Sequence, residues 1–117
     1  MNILIAFLLL IIPNVSYSQS NVVKQISKVN YASVIMYHRF GDSRYPSTNI
    51  KKEQFLKHIN ELLKPEYNVI SIQKALLAIN DIELIKDKSV VITIDDAYSS
   101  VYNYAWPIFK KHNLPFT

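Results

Sequence analysis

The chain has 117 residues, a length for one domain at most. It contains one glycine, Gly41, and no cysteine, which excludes thiolate metal sites, disulfides and cysteine nucleophiles without arguing against export. The formal charge of +4 is carried by lysines scattered over helical stretches, the pattern of a solvated exterior, and no nucleic-acid-binding module is recognisable.

Residues 1–20 carry no charged side chain. An unbroken apolar run, Ile3–Ile12, is followed by Pro13 and the small-residue site Ser16-Tyr17-Ser18. That is the layout of a secretory signal peptide spanning residues 1–18, with cleavage after Ser18, and it predicts an exported protein (periplasmic, cell-envelope or extracellular). The run is short for a bilayer-spanning helix. Its n-region has no Lys or Arg, so the alternative is an uncleaved anchor and association with a membrane or cell wall. Residues 19–30 read as a polar linker, and residues 31–117 as the domain.

Ala32–His38 is an apolar run ending in polar groups, which predicts a first core strand with His38 at its end. A histidine there is a candidate substrate contact, or simply a strand-end residue bonded to backbone. The Gly, Pro and Ser content of Phe40–Ser47 predicts a loop. Asn49 is placed to cap a helix carrying Glu53 in its early turns and Phe55, Ile59, Leu62 and Leu63 on one face, with Pro65 after its end. His58 lies off that stripe and reads as a surface residue. Tyr67–Ser71 is a short extended segment, and Ser71 caps a second helix through Ala75, Leu76, Leu77 and Ile79. Asn80–Lys88 is a polar connection in which Ile82, Leu84 and Ile85 offer something to bury.

The chain is organised around Ser89–Tyr98. Val90–Ile94 has too few polar positions for a half-exposed strand, so it predicts one buried on both faces, as in parallel sheets and barrels. Asp95 and Asp96 follow where the strand gives out, the edge at which α/β folds place their chemistry. Neighbouring strand residues face opposite ways, so both cannot point into a sealed core. A lone Asp at such a position commonly caps a helix or starts a turn. Two held close need a cation or a shared proton. Val101, Ala105, Ile108 and Phe109 then form a helical stripe interrupted by Pro107, which either kinks the helix or restarts it. Tyr102, Tyr104 and Trp106 read as core or interface residues of that helix, whereas Tyr98, directly after the carboxylates, is a candidate substrate contact. His112 closes the helix, and Leu114–Thr117 looks like the entry to another strand. The alternation of strands and helices predicts an α/β fold with a parallel sheet or barrel.

Three segments resemble the polysaccharide deacetylase family, carbohydrate esterase family 4. They are Val34-Ile35-Met36-Tyr37-His38-Arg39-Phe40, then Phe55 with Leu62-Leu63 and Tyr67–Ser71, and finally Val91-Ile92-Thr93-Ile94-Asp95-Asp96-Ala97-Tyr98 with Pro107–Lys111 and Leu114–Thr117. The last is similar to the family's Thr-Phe-Asp-Asp-Gly motif with its helix and next strand. The resemblance implies the N-terminal portion of a distorted (β/α) barrel, incomplete in this chain. It implies a hydrolase of carbon–nitrogen bonds other than peptide bonds, removing N-acetyl (in some members O-acetyl) groups from a polysaccharide. By position, Asp95 matches the catalytic base and Asp96 the carboxylate ligand of a divalent metal, most often zinc. Tyr98 matches a substrate-binding aromatic of the groove, and His38 borders the same mouth as a substrate contact without a fixed role.

The sequence departs from the family in two ways. Ala97 stands where the family usually has Gly, restricting a turn that otherwise tolerates any φ. The metal histidines, at His-x-x-x-His spacing, have no counterpart: the three histidines here are His38, His58 and His112. The expectation is therefore a deacetylase whose N-terminal part this chain represents, inactive by itself. The alternative from another class is a non-catalytic glycan-binding or cell-envelope protein on a degenerate half-fold. A receiver domain also places an Asp pair after an apolar strand, but the signal peptide disfavours it.

Overall fold

The computed structural model describes residues 31–117. The signal peptide expected at 1–18 and the linker at 19–30 lie outside the described residues. Among the described residues no helix is long and apolar enough to cross a membrane.

The fold is α/β with a parallel sheet, as the alternation of elements predicts. Strand β1 (Ser33–Tyr37) leads into a two-residue strand β2 (Arg39–Phe40), which pairs in parallel with β3 (Asn49–Ile50). Helix α1 (Lys52–Leu62) follows, then β4 (Asn68–Val69), helix α2 (Ile72–Ile79) and β5 (Ser89–Ile94). A π-helical turn (Val101–Ala105) runs directly into α3 (Trp106–Lys111). The main sheet has the order β1-β5-β4, both pairs parallel.

Strand β5 is the longest strand among the described residues, lies in the middle of the sheet and has cover on both faces. Val90 and Ile92 pack with Phe55, Ile59 and Leu62 of α1 and Ala105 and Phe109 of the last helical segment. Val91 faces the other way, into a smaller cluster with Ile70, Ala75, Ala78 and Ile85. A strand covered this way has no use for alternating polar residues. The strand's polar bonds alternate too. The Asp95 amide donates to the Tyr37 carbonyl on the β1 side, at 2.9 Å. Thr117 donates to the Ile92 carbonyl and accepts from the Ile94 amide, at 3.0 and 2.8 Å, on the opposite edge, that of β4. Leu114–Thr117 is thus the strand entry that the sequence implies.

Several expectations are corrected. The first strand is a core strand on one face only: Val34 and Met36 are 62% and 58% exposed, while Tyr37 is buried. In register, Val34 and Met36 lie beside Val91 and Thr93, but the cover that Ala75 and Ala78 of α2 give Val91 does not extend across to them. Asn49 does not cap α1. It belongs to β3, its side-chain oxygen accepts from the Asp42 amide at 2.8 Å, and Lys51 holds the cap position. Leu63 is exposed, one residue beyond the stripe, and of the connection's apolar residues only Ile85 is buried. Ser71 does cap α2, its hydroxyl accepting from the Lys74 amide. Tyr102 and Trp106 are not core residues. They are exposed and stack on each other with ring centroids 5.3 Å apart. Pro107 restarts the helix: the turn before it widens, with the Trp106 amide reaching back to the Val101 carbonyl.

Candidate active site at the end of β5

The register of β1 against β5 pairs Tyr37 with Ile94. One step further along both strands, it brings His38 alongside Asp95. The imidazole is partly buried and lies between the two carboxylates, with one ring nitrogen toward each. Nε2 is 4.0 Å from Asp95 Oδ2, and Nδ1 is 3.8 Å from Asp96 Oδ2. Those separations are too long for direct hydrogen bonds, and they are ion pairs only when the imidazole carries a proton. Both carboxylates face water, with side-chain exposures of 50% and 63%. Three of the residues singled out from sequence, 58 positions apart at their extremes, therefore meet at one sheet edge.

Asp96 has a φ of +53°, in the left-handed region, and Ala97 is not among the residues with positive φ. The left-handed residue of this turn is therefore Asp96 and not Ala97. Asp visits this region more readily than Ala because its short polar side chain can bond locally. Tyr98 supplies such a bond, its hydroxyl donating to Asp96 Oδ2 at 3.0 Å. That bond is the main reason the Tyr98 phenol is held above its ordinary value. All four residues expected at the site, His38, Asp95, Asp96 and Tyr98, are within one chain of contacts.

Arg39 is the residue that sequence reasoning passed over. Its guanidinium lies 3.6 Å from the Tyr98 ring centroid and 4.1 Å from that of Tyr45, a planar cation between two aromatic faces. Nη1 donates to the Thr48 hydroxyl at 2.8 Å. The loop carrying Tyr45 is latched by Arg44, which grips both oxygens of Asp42 at 2.9 Å. That grip holds the Asp42 carboxyl below the usual carboxylate range. Gly41, with φ +75°, makes the turn into this loop. In sequence the loop shows only turn residues, and no periodicity marks Arg39.

The remaining histidines lie elsewhere. His58 Nδ1 is hydrogen-bonded to the Tyr37 hydroxyl at 3.0 Å, and His112 ends α3. Among the described residues no group of three or more His, Cys, Asp or Glu is arranged to hold a metal ion. His38 does not complete one with the aspartates, because it turns a different nitrogen to each.

No family model matches the chain. YxkH of Bacillus subtilis (strain 168), which its name assigns to the polysaccharide deacetylases, is 29% identical over 84 residues, covering 72% of this chain and 29% of that protein. A de-N-acetylase from Aggregatibacter actinomycetemcomitans superposes with a TM-score of 0.63 at 31% identity, over 73% of this chain and 36% of its own. IcaB from Ammonifex degensii gives 0.65 at 29% identity, over 76% and 37%. The chain thus spans about a third of the length of the relatives it matches.

Proposed function

We propose, from a chain similar to polysaccharide deacetylases over about three quarters of its length, that the full-length protein hydrolyses acetyl groups from a polysaccharide. N-acetyl groups are the first to test, given the de-N-acetylase among the relatives. The observation that carries the reading is the meeting of Asp95, Asp96 and His38 at the C-terminal end of β5. On this reading the described segment is the N-terminal portion of a (β/α) barrel.

In the reaction, water adds to the acetyl carbonyl carbon, the carbon–nitrogen bond breaks, and acetate and a protonated amine leave. Asp95 is the proposed base: an exposed carboxylate on a fixed backbone can accept the water's proton without first being uncovered. His38, beside both carboxylates, contacts the substrate and can carry a proton toward the departing nitrogen. Tyr98 borders an open groove of about 350 Å³ shared with Ala97, Val101, Tyr102, Trp106 and Phe116, a shape and chemistry suited to a sugar ring. A divalent metal, zinc by the family resemblance, would polarise the carbonyl and activate the water. Asp96 is its proposed carboxylate ligand, but the described residues do not by themselves form its site. For that reason residues 1–117 alone are proposed to be inactive. Export is proposed on the sequence of residues 1–18.

The test is acetate release from a polymer of N-acetylglucosamine by the full-length protein. Asp95→Asn and Asp96→Asn should each lower the rate at least ~100-fold, the scale of removing a general base or an electrostatic stabiliser. Binding of the polymer with no acetate released by the wild type, with or without added zinc, would instead identify a glycan-binding protein.

A further inference from the structure

We infer that Arg39 is a positioning residue for Asp96, acting through the ring of Tyr98. The inference rests on the proposed reading of Asp96 as a site carboxylate and adds a residue that the reading does not require. Asp96 is more than half exposed and lies on a left-handed backbone, and its other neighbour, His38 Nδ1 at 3.8 Å from Oδ2, is too far to fix the side-chain torsion by a hydrogen bond. The bond from the Tyr98 hydroxyl to Oδ2 can fix it only if the Tyr98 ring is itself held. Tyr98 precedes the π-helical turn, and its side chain is only partly buried.

Arg39 holds that ring. Its backbone is pinned in β2, where its amide donates to the Thr48 carbonyl at 3.0 Å. Its side chain is pinned at the tip by Thr48 Oγ1 and on one face by Tyr45. The second face is presented to Tyr98 at 3.6 Å. A planar guanidinium stacks on a ring in a way a lysine ammonium does not, so the contact orients the ring as well as attracting it. The order of fixation runs Thr48 and Tyr45, Arg39, Tyr98, Asp96 Oδ2, and it leaves Oδ1 of Asp96 presented in one direction. This gives the two-residue β2–β3 pair a purpose that packing alone does not supply.

The experiment is a double-mutant cycle read by the side-chain carboxyl carbon signal of Asp96 in ¹³C-labelled full-length protein without added metal. Tyr98→Phe removes the donor and sets the full displacement of that signal. Arg39→Ala should move the signal at least half as far. In the Tyr98→Phe background Arg39→Ala should move it no further, because its effect passes through the hydroxyl. Arg39→Lys should behave like Arg39→Ala. If Arg39→Ala perturbs folding, Tyr45→Ala, which strips only the outer face of the stack, should give a smaller displacement in the same direction. The inference is overturned if Arg39→Ala and Tyr45→Ala both leave the signal at its wild-type position. It also fails if the Arg39 and Tyr98 displacements add, or if Arg39→Lys restores the wild-type signal and charge alone suffices. In acetate release, Arg39→Ala should lower kcat about 3- to 10-fold with KM within twofold. Absence of acetate release from every variant would sink the deacetylase reading and leave the carboxyl signal to decide the role of Arg39.

Discussion

The left-handed backbone at Asp96 makes a prediction whose sign reverses one residue away. With φ at +53°, a Cβ-bearing residue without a local polar bond carries about 1–2 kcal/mol of steric cost, and glycine carries none. Glycine loses roughly 0.5–1 kcal/mol through the greater freedom of its unfolded chain. The difference leaves Asp96→Gly more stable than Asp96→Ala by ~1 kcal/mol, with Asp96→Asn close to the wild type. At Asp95, which is not among the positive-φ residues, only the entropic term operates, so Asp95→Gly should be less stable than Asp95→Ala by ~0.5–1 kcal/mol. For a domain of this size 1 kcal/mol corresponds to roughly 4–8 °C in Tm. Urea and thermal unfolding of the Gly and Ala variants at both positions, with a constant urea slope, measure both differences. Equal stability of the Gly and Ala variants at Asp96, or the same sign at both positions, would refute the argument that the turn is made at Asp96.

Three further outcomes follow from the packing and the site. Phe55 is fully buried and meets Tyr37, Phe40, Tyr104 and Phe109 with centroids 4.7–6.0 Å apart. Phe55→Ala should therefore lose ~3–5 kcal/mol in urea unfolding, and a loss under ~1.5 kcal/mol would mean that this cluster is not the centre of the core. Burial pushes the Tyr37 phenol up to about 12 from its ordinary 10.0. Because the folded state binds this proton more tightly than the unfolded one, the associated stability is complete below pH 10 and lost as pH rises toward 12. Tyr37→Phe should flatten that part of the stability–pH curve, and an unchanged slope would count against the assignment. Ala97→Gly, which restores the residue usual in the family, should cost ~0.5–1 kcal/mol in thermal unfolding and leave acetate release within twofold, since the left-handed residue is not Ala97. A clear gain in activity would show that the turn is strained at Ala97 after all.

The parts of this fold that the sequence discloses are those set by local pattern. The apolar, β-branched run before Asp95 discloses a doubly covered strand, the spacing of Phe55, Ile59 and Leu62 a helix face, and Ser71 a cap. The Asp pair is legible because two charges after such a run have few ordinary explanations. What stays hidden depends on partners distant in the chain. The one-sided burial of β1 is invisible because Val34 and Met36 look like core residues until their neighbours are known. Asn49 has the chemistry of a cap and is drawn into β3 by the Asp42 amide instead. Tyr102 and Trp106 occupy helical positions with large apolar side chains, and only the three-dimensional arrangement shows that they stack outward. Arg39 is the clearest omission, because a cation between two rings 6 and 59 residues away leaves no periodic trace.

The bond from the Asp95 amide to the Tyr37 carbonyl has a dynamic consequence. The side chain of Asp95 faces water, yet its amide is tied at 2.9 Å to a residue that is itself buried against Phe40 and Phe55. The Ile94 amide beside it is tied to Thr117 on the other edge. Solvent can reach the Asp95 amide only when β1 and β5 separate, and that separation opens the larger hydrophobic cluster. Deuterium should therefore enter at the Asp95 amide about as slowly as at the most protected core positions, although an exposed carboxylate sits on the same residue. This edge of the sheet is accessible in its side chains and closed in its backbone. On the proposed reading of Asp95 as the base, proton transfer there would need none of the local opening that mobile active-site loops require.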